Sequence, residues 1–178
     1  DGTTNFLHGI PQFAVSIGLE RDGDLFAGVI YEPITDQTYW AENGKGAYQN
    51  NRRLRVSARR DMSESLFSTG IPFIGQPAER HAQSQKEIGA VMDKCCGIRR
   101  FGAASLDLAW VAAGRYEGFW ETGLQPWDMA AGIVMIREAG GFVSDSSGKR
   151  NMMKSGSIVA GNDSRHATLL SILQKSAK

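Results

Sequence analysis

The chain has 178 residues, 42% of them hydrophobic and 22% charged, with a formal net charge of +1. That length can bury a full core, so one domain over residues 1–178 is expected, divisible at most into sub-lobes 1–60 and 61–178. The near-neutral balance argues against a dedicated nucleic-acid binder, and no apolar run reaches the length of a membrane span. Cys95 and Cys96 are the only cysteines. Adjacent thiols suit neither a structural disulfide nor a zinc site, and a reducing cytoplasm is the expected compartment.

The first half reads as strands. Asp1-Gly2-Thr3-Thr4 opens a helix or a turn, and His8-Gly9-Ile10-Pro11 breaks regular structure. Phe13, Val15, Ile17 and Leu19 alternate with smaller or polar residues, the pattern of a strand. Asp22-Gly23 predicts a tight hairpin turn, because such turns need positive φ. Leu25 to Tyr31 is the returning strand, ended by Pro33. Thr38 to Ala41 is the third strand, Asn43-Gly44 a second turn, and 47–49 and 54–56 two short strands. This half is an antiparallel meander. Arg52, Arg53, Arg55, Arg59 and Arg60 form its basic cluster. Arg53 and Arg55 share one strand face opposite Leu54 and Val56, which suits a solvated sheet edge.

The second half alternates strands and helices. A strand at 65–69 precedes Gly70-Ile71-Pro72. Ile88, Val91, Met92 and Cys95 then fall on one face of a helix. A short strand at 98–101 leads to a helix through Ala104, Leu108, Val111 and Ala112, closed by Gly114. Residues 116–121 form a strand that places Glu121 at its end. Met129, Ile133 and Ile136 mark another helix, stopped by Gly140-Gly141. Strands follow at 142–144 and 157–160, with 146–155 a mobile loop between them. Asp163 caps a last helix carrying Leu169, Leu170 and Leu173. Layered sheets with helices between and outside them are the expected architecture.

Two stretches carry chemistry. Asp1 offers a carboxylate to a hard cation, Gly2 allows close backbone approach, and Thr3 and Thr4 offer hydroxyls and N–H groups to an anion. Asp128, in Trp127-Asp128-Met129-Ala130-Ala131-Gly132, stands at a helix N-terminal end. Taken singly, Asp1 reads equally as a turn residue and Asp128 as a helix cap. Together they could share metal ions that clamp a phosphate. Asp107 falls within a helix, with solvent or a partner subunit as its expected neighbour. Glu138 lies at a helix end away from the proposed site, and Trp127 is expected to pack and steady the Asp128 backbone.

Asp1-Gly2-Thr3, Phe13-Ala14-Val15-Ser16-Ile17-Gly18, Gly44-Lys45-Gly46-Ala47, Trp127-Asp128-x-x-Ala131-Gly132 and Glu138-Ala139-Gly140-Gly141 together resemble the inositol monophosphatase family, over essentially the whole chain. The resemblance implies an α+β fold, the alternating α/β layered sandwich of the sugar phosphatases, here without its N-terminal helical layer. It also implies a Mg²⁺-dependent, lithium-sensitive phosphatase, with Asp1 and Asp128 as metal ligands and Asp1, Thr3 and Asp128 as catalytic residues. Gly2, Thr3 and Thr4 would meet the phosphate. Arg99, Gly102, Ala103, Ala104, Glu121 and Asp128 would meet the polyol. The family's leading segment, with a metal-binding Glu, a Thr that orients the attacking water and the first Asp of the motif, does not occur in this sequence. The partner implied is a small phosphorylated polyol or sugar, with no membrane or nucleic acid, and a homodimer is expected. Myo-inositol monophosphate is the first substrate. Histidinol phosphate, fructose 1,6-bisphosphate and a 3′-phosphonucleotide are alternatives, as is a catalytically inactive binding module.

Overall fold

A computed structural model describes residues 1–177. A short helix, α1 (Thr3–Leu7), precedes a five-stranded antiparallel sheet in chain order: β1 (Val15–Arg21), β2 (Asp24–Glu32), β3 (Gln37–Glu42), β4 (Gly46–Gln49) and β5 (Arg52–Arg53). The turn from β1 to β2 is the expected one, with positive φ at both Asp22 and Gly23. The strand expected at 54–56 does not form: the last strand is Arg52–Arg53 and ends before Leu54. Burial still alternates beyond it: Leu54 is buried and Val56 packs against the core, while Arg53 and Arg55 are exposed.

The second sheet collects β6 (Leu66–Thr69), β7 (Gly97–Arg99), β8 (Gly118–Thr122), β9 (Phe142–Ser144) and β10 (Ser157–Gly161) in the order β7-β6-β8-β10-β9. β6 runs parallel to β7 and β8, and the other pairs are antiparallel. Between the sheets lie α3 (Ala104–Ala112) and α4 (Pro126–Glu138); α2 (Ala78–Met92) and α6 (Asp163–Ser176) pair on the far side of the second sheet. Side-chain alternation serves both faces. Phe119, Ile158 and Ala160 point to the central helices, whereas Phe67, Trp120 and Val159 pack with Val91, Leu169 and Leu173 of the outer pair. The layers are therefore sheet, helices, sheet, helices, an α+β sandwich as expected.

Two local expectations change. The cap of α6 is Asn162, whose Oδ1 accepts from Arg165 N at 2.9 Å, and Asp163 is the first helical residue. Residues 146–155 are not simply a loop. Asp145 Oδ1 accepts from Ser147 N, Ser147 Oγ and Lys149 N, and α5 (Met152–Ser155) follows.

The first sheet holds α4 in an unexpected way. Val15, Ile17 and Leu19 are the apolar face of β1, yet they are 54%, 61% and 53% exposed. Its inward face carries Gly18, paired directly with Gly28 of β2. A Cβ at Gly18 would lie 2.4 Å from Ala130 Cβ, and one at Gly28 would lie 2.5 Å from Ala131 Cα. The helix rests on bare strand backbone. Ser16 Oγ adds a hydrogen bond to Trp127 O at 3.1 Å, pinning the first turn of α4 to β1.

Candidate active site

Asp1 and Asp128, far apart in the sequence, line one cavity of about 310 Å³. Asp1 is held by its neighbours. Its Oδ1 accepts from Gly2 N at 2.8 Å, and its Oδ2 accepts from Ser105 N and Ser105 Oγ, both at 2.7 Å. Ser105 lies in the first turn of α3, where a backbone N–H has no acceptor within the helix. The central helix layer thus orients the Asp1 carboxylate.

Gly2 has φ of +82°, and a Cβ there would lie 2.8 Å from Gln12 O, so no other residue fits without strain. Its N–H is already engaged by Asp1 Oδ1. Thr3 and Thr4 line the cavity in the first turn of α1, where backbone N–H groups lack intrahelical acceptors. Asn5 ties this segment down: its Nδ2 donates to Gln12 O and to Phe101 O, each at 2.7 Å. His8 takes no place in the cavity lining.

Asp128 is the third residue of α4. Its Oδ2 accepts from Gln125 N at 2.9 Å in a reciprocal capping box, and Pro126 begins the helix. The carboxylate therefore sits inside the first turn, facing the cavity rather than capping from outside. Trp127 does not pack as expected. The residue is 65% exposed while lining the cavity, and its carbonyl fixes this turn to β1.

The polyol positions separate. Gly102, Ala104 and Glu121 line the cavity, whereas Ala103 is buried in the core at the cap of α3. Arg99 is exposed on the edge strand, with Nη1 donating to its neighbour Ile98 O. The guanidinium groups among the cavity residues belong to Arg100 and Arg80. Glu121 lies across Gly70, where a Cβ would fall 1.9 Å from its carboxyl carbon. Burial pushes the Glu121 carboxyl up to about 7, with Arg100 opposing and the Asp128 charge adding.

Asp107 departs from its expectation. It is 2% exposed, lies under the cavity, and its Oδ1 has no hydrogen-bond partner. Glu138 accepts from Gly44 N and Gly46 N and so clamps the β3–β4 turn, away from the cavity as expected. Sequence reading missed Ser105, Asn5, Arg100 and Gly70. The N-terminal position of Ser105 in an apolar helix was the one local signal available.

No group of three or more His, Cys, Asp or Glu side chains is placed to hold a metal among the described residues. The two aspartates can serve one cation that keeps waters and takes few carboxylates. Among the described residues Asp128 Oδ1 accepts no hydrogen bond, and Asp1 Oδ1 accepts one only. That donor set is all oxygen and anionic, which fits a hard dication. A second cavity of about 270 Å³, bordered by Trp120, Val159 and Leu173, includes neither aspartate.

The sequence profile of the inositol monophosphatase family matches residues 1–178. The inositol-1-monophosphatase of Mesorhizobium japonicum is 53% identical over 175 residues, covering 98% of this chain and 65% of that protein. The Nus factor SuhB of Pseudomonas aeruginosa is 47% identical over 174 residues, covering 98% of this chain and 64% of its own length. The crystal structure of the extragenic suppressor protein suhB from Bartonella henselae matches with a TM-score of 0.94 and 54% identity, covering 98% of this chain and 67% of that one. This chain spans just under two thirds of the two curated relatives' lengths, and it belongs to the inositol monophosphatase family.

Proposed function

We propose that the protein carrying this chain hydrolyses the phosphate monoester of a small polyol or sugar, with myo-inositol monophosphate the first candidate. The observation that carries the reading is the meeting of Asp1 and Asp128 in one cavity with Thr3, Thr4 and Glu121. The relative named inositol-1-monophosphatase supports the choice of substrate.

A phosphate monoester resists hydrolysis because its dianion repels a nucleophile. Asp1 and Asp128 would hold Mg²⁺, which neutralises phosphate charge, makes hydroxide available near neutral pH and stabilises a departing alkoxide. Thr3 and Thr4 present unengaged first-turn N–H groups and hydroxyls to phosphate oxygens. Ser105 keeps the Asp1 carboxylate from rotating away. Glu121 and Asp128 accept hydrogen bonds from polyol hydroxyls, and Gly102 and Ala104 leave room for the ring. Arg100 balances the negative charge at Glu121.

Phosphate release from myo-inositol monophosphate, histidinol phosphate, fructose 1,6-bisphosphate and a 3′-phosphonucleotide tests the reading, with and without Mg²⁺. The inositol ester is expected to give the highest kcat/KM. Asp128→Asn should lower kcat by about a hundredfold or more, on the scale of losing one group that stabilises transition-state charge, with the circular dichroism unchanged. Turnover by that variant at the wild-type rate under saturating Mg²⁺ would remove Asp128 from the site.

A further inference from the structure

The chain buries two acids on the same scale and treats them differently. Glu117 is 1% exposed and fully satisfied: Oε1 accepts from Arg59 Nη1 at 2.9 Å and Oε2 from Leu66 N at 2.6 Å. Among the described residues Asp107, 2% exposed, has no ion pair, and its Oδ1 has no partner. The Ser68 hydroxyl beside it falls short of hydrogen-bond geometry and is itself unpartnered. Asp107 is the only charged residue of α3, a helix otherwise buried through nearly all its length.

An ionised carboxylate without a partner costs several kcal/mol to bury, so a neutral acid is the stable form. Burial pushes the Asp107 carboxyl well above the usual range; the Glu121 charge adds to this, against smaller opposing effects of Ser68 and Arg100. A neutral carboxyl has an O–H to donate. The acid whose charge acts on Asp107 is Glu121, and the two line the same cavity.

Building on the polyol-phosphatase reading, we propose that Asp107 is a positioning residue: a protonated acid beneath the cavity that steadies the Glu121 carboxylate for a polyol hydroxyl. Glu121 is then backed on one side by Gly70, which leaves space for its carboxylate, and on the other by a buried acid whose Oδ1 makes no hydrogen bond, with the unpartnered hydroxyls of Ser68 and Tyr116 behind it. The position selects for the alcohol part of the substrate and not for the phosphate.

The test uses the full-length polypeptide and two substrates, myo-inositol monophosphate and p-nitrophenyl phosphate, which lacks a polyol. Asp107→Leu should raise KM for the inositol ester about tenfold with little change in kcat, the scale of one unsatisfied buried acceptor, and should spare the aryl ester. Asp107→Asn keeps a donor and should recover most of that loss. Asp107→Leu in a Glu121→Gln background should add little. Equal losses on both substrates, or full additivity of the two changes, would mean that Asp107 is merely structural. The ¹³C carboxyl shift of Asp107 in the wild-type protein, assigned by its loss in Asp107→Asn, requires no variant to be active. The protonated value at neutral pH is expected, and the ionised value overturns the proposal. A wild-type protein that cleaves neither ester would instead sink the phosphatase reading itself, and the proposal with it.

Discussion

The central helices meet the two sheets differently at two places. Under β1 and β2, α4 lies on Gly18 and Gly28 with Ala130 and Ala131 pressed against backbone. Under β8 and β10, the helices meet Phe119 and Ile158, fully or almost fully buried side chains. Large side chains give area and can repack around a defect. A backbone seam gives little area and has no slack, because interiors are close-packed and main chain cannot rotate aside. The seam is also the one nearer the chemistry, since α4 carries Asp128 one turn from Ala131. The first sheet also buries Ile30 and Tyr39 in the same core, so it is the seam under Gly18 and Gly28, rather than the whole sheet, that sets where Asp128 stands.

The largest expected effect is on the aromatic side. Phe119→Ala should destabilise the fold by about 3–5 kcal/mol, the range for an aromatic truncated in a core. Chemical denaturation measures that loss. The folded fraction should keep a near-normal KM for the inositol ester. A KM raised in proportion to the stability loss would break the division of labour between the aromatic contacts and the seam.

Gly28→Ala probes the other side. One methyl would need to enter 2.5 Å from Ala131 Cα, where the obstacle is main chain. Overpacking of this kind costs about 1–3 kcal/mol, less than Phe119→Ala. The kinetic effect should be the larger of the two, with kcat/KM down roughly a hundredfold, because displacing a catalytic group by an ångström has that scale of consequence. A Gly28→Ala enzyme with wild-type kinetics would show that α4 can shift without moving Asp128.

The same contrast explains what could be read from the chain alone. Turns, strands and helices were legible because each rests on local rules: Asp22-Gly23 needs two positive φ values, and Ile133 and Ile136 repeat on one helix face. Asp1 and Asp128 were legible from motif resemblance. The inward face of β1 was not. Apolar alternation points Val15, Ile17 and Leu19 toward a core, but the requirement for close backbone approach put Gly18 there instead. Ser105 and Asn5 act through partners about a hundred residues away or at a turn, which no local pattern encodes. Arg99 and Arg100 differ by one residue, but Arg99 is the last residue of the edge strand and Arg100 lies just past it, where the chain turns toward the cavity. Asp107 looked like a surface acid because mid-helix acids usually are.

Glu121 sharpens the comparison through its dependence on pH. It is the next-to-last residue of β8, following Phe119 and Trp120, and burial there raises its carboxyl from an ordinary 4.5 to about 7. Between those values the folded chain keeps a proton that the unfolded chain has released. Stability then falls as pH rises through the window and levels off above the folded value. The backbone seam of the first sheet contributes no such dependence, since Gly18 and Gly28 carry no titrating group. Glu121→Gln should therefore flatten the decline in urea midpoint between about pH 4.5 and 7, leaving the acid side close to wild type and raising the neutral side. The measurement belongs in EDTA, because a cation at Asp128 would offset the charge that Glu121 feels. Parallel wild-type and variant curves across the window would mean that Glu121 stays ionised and solvated at the cavity wall.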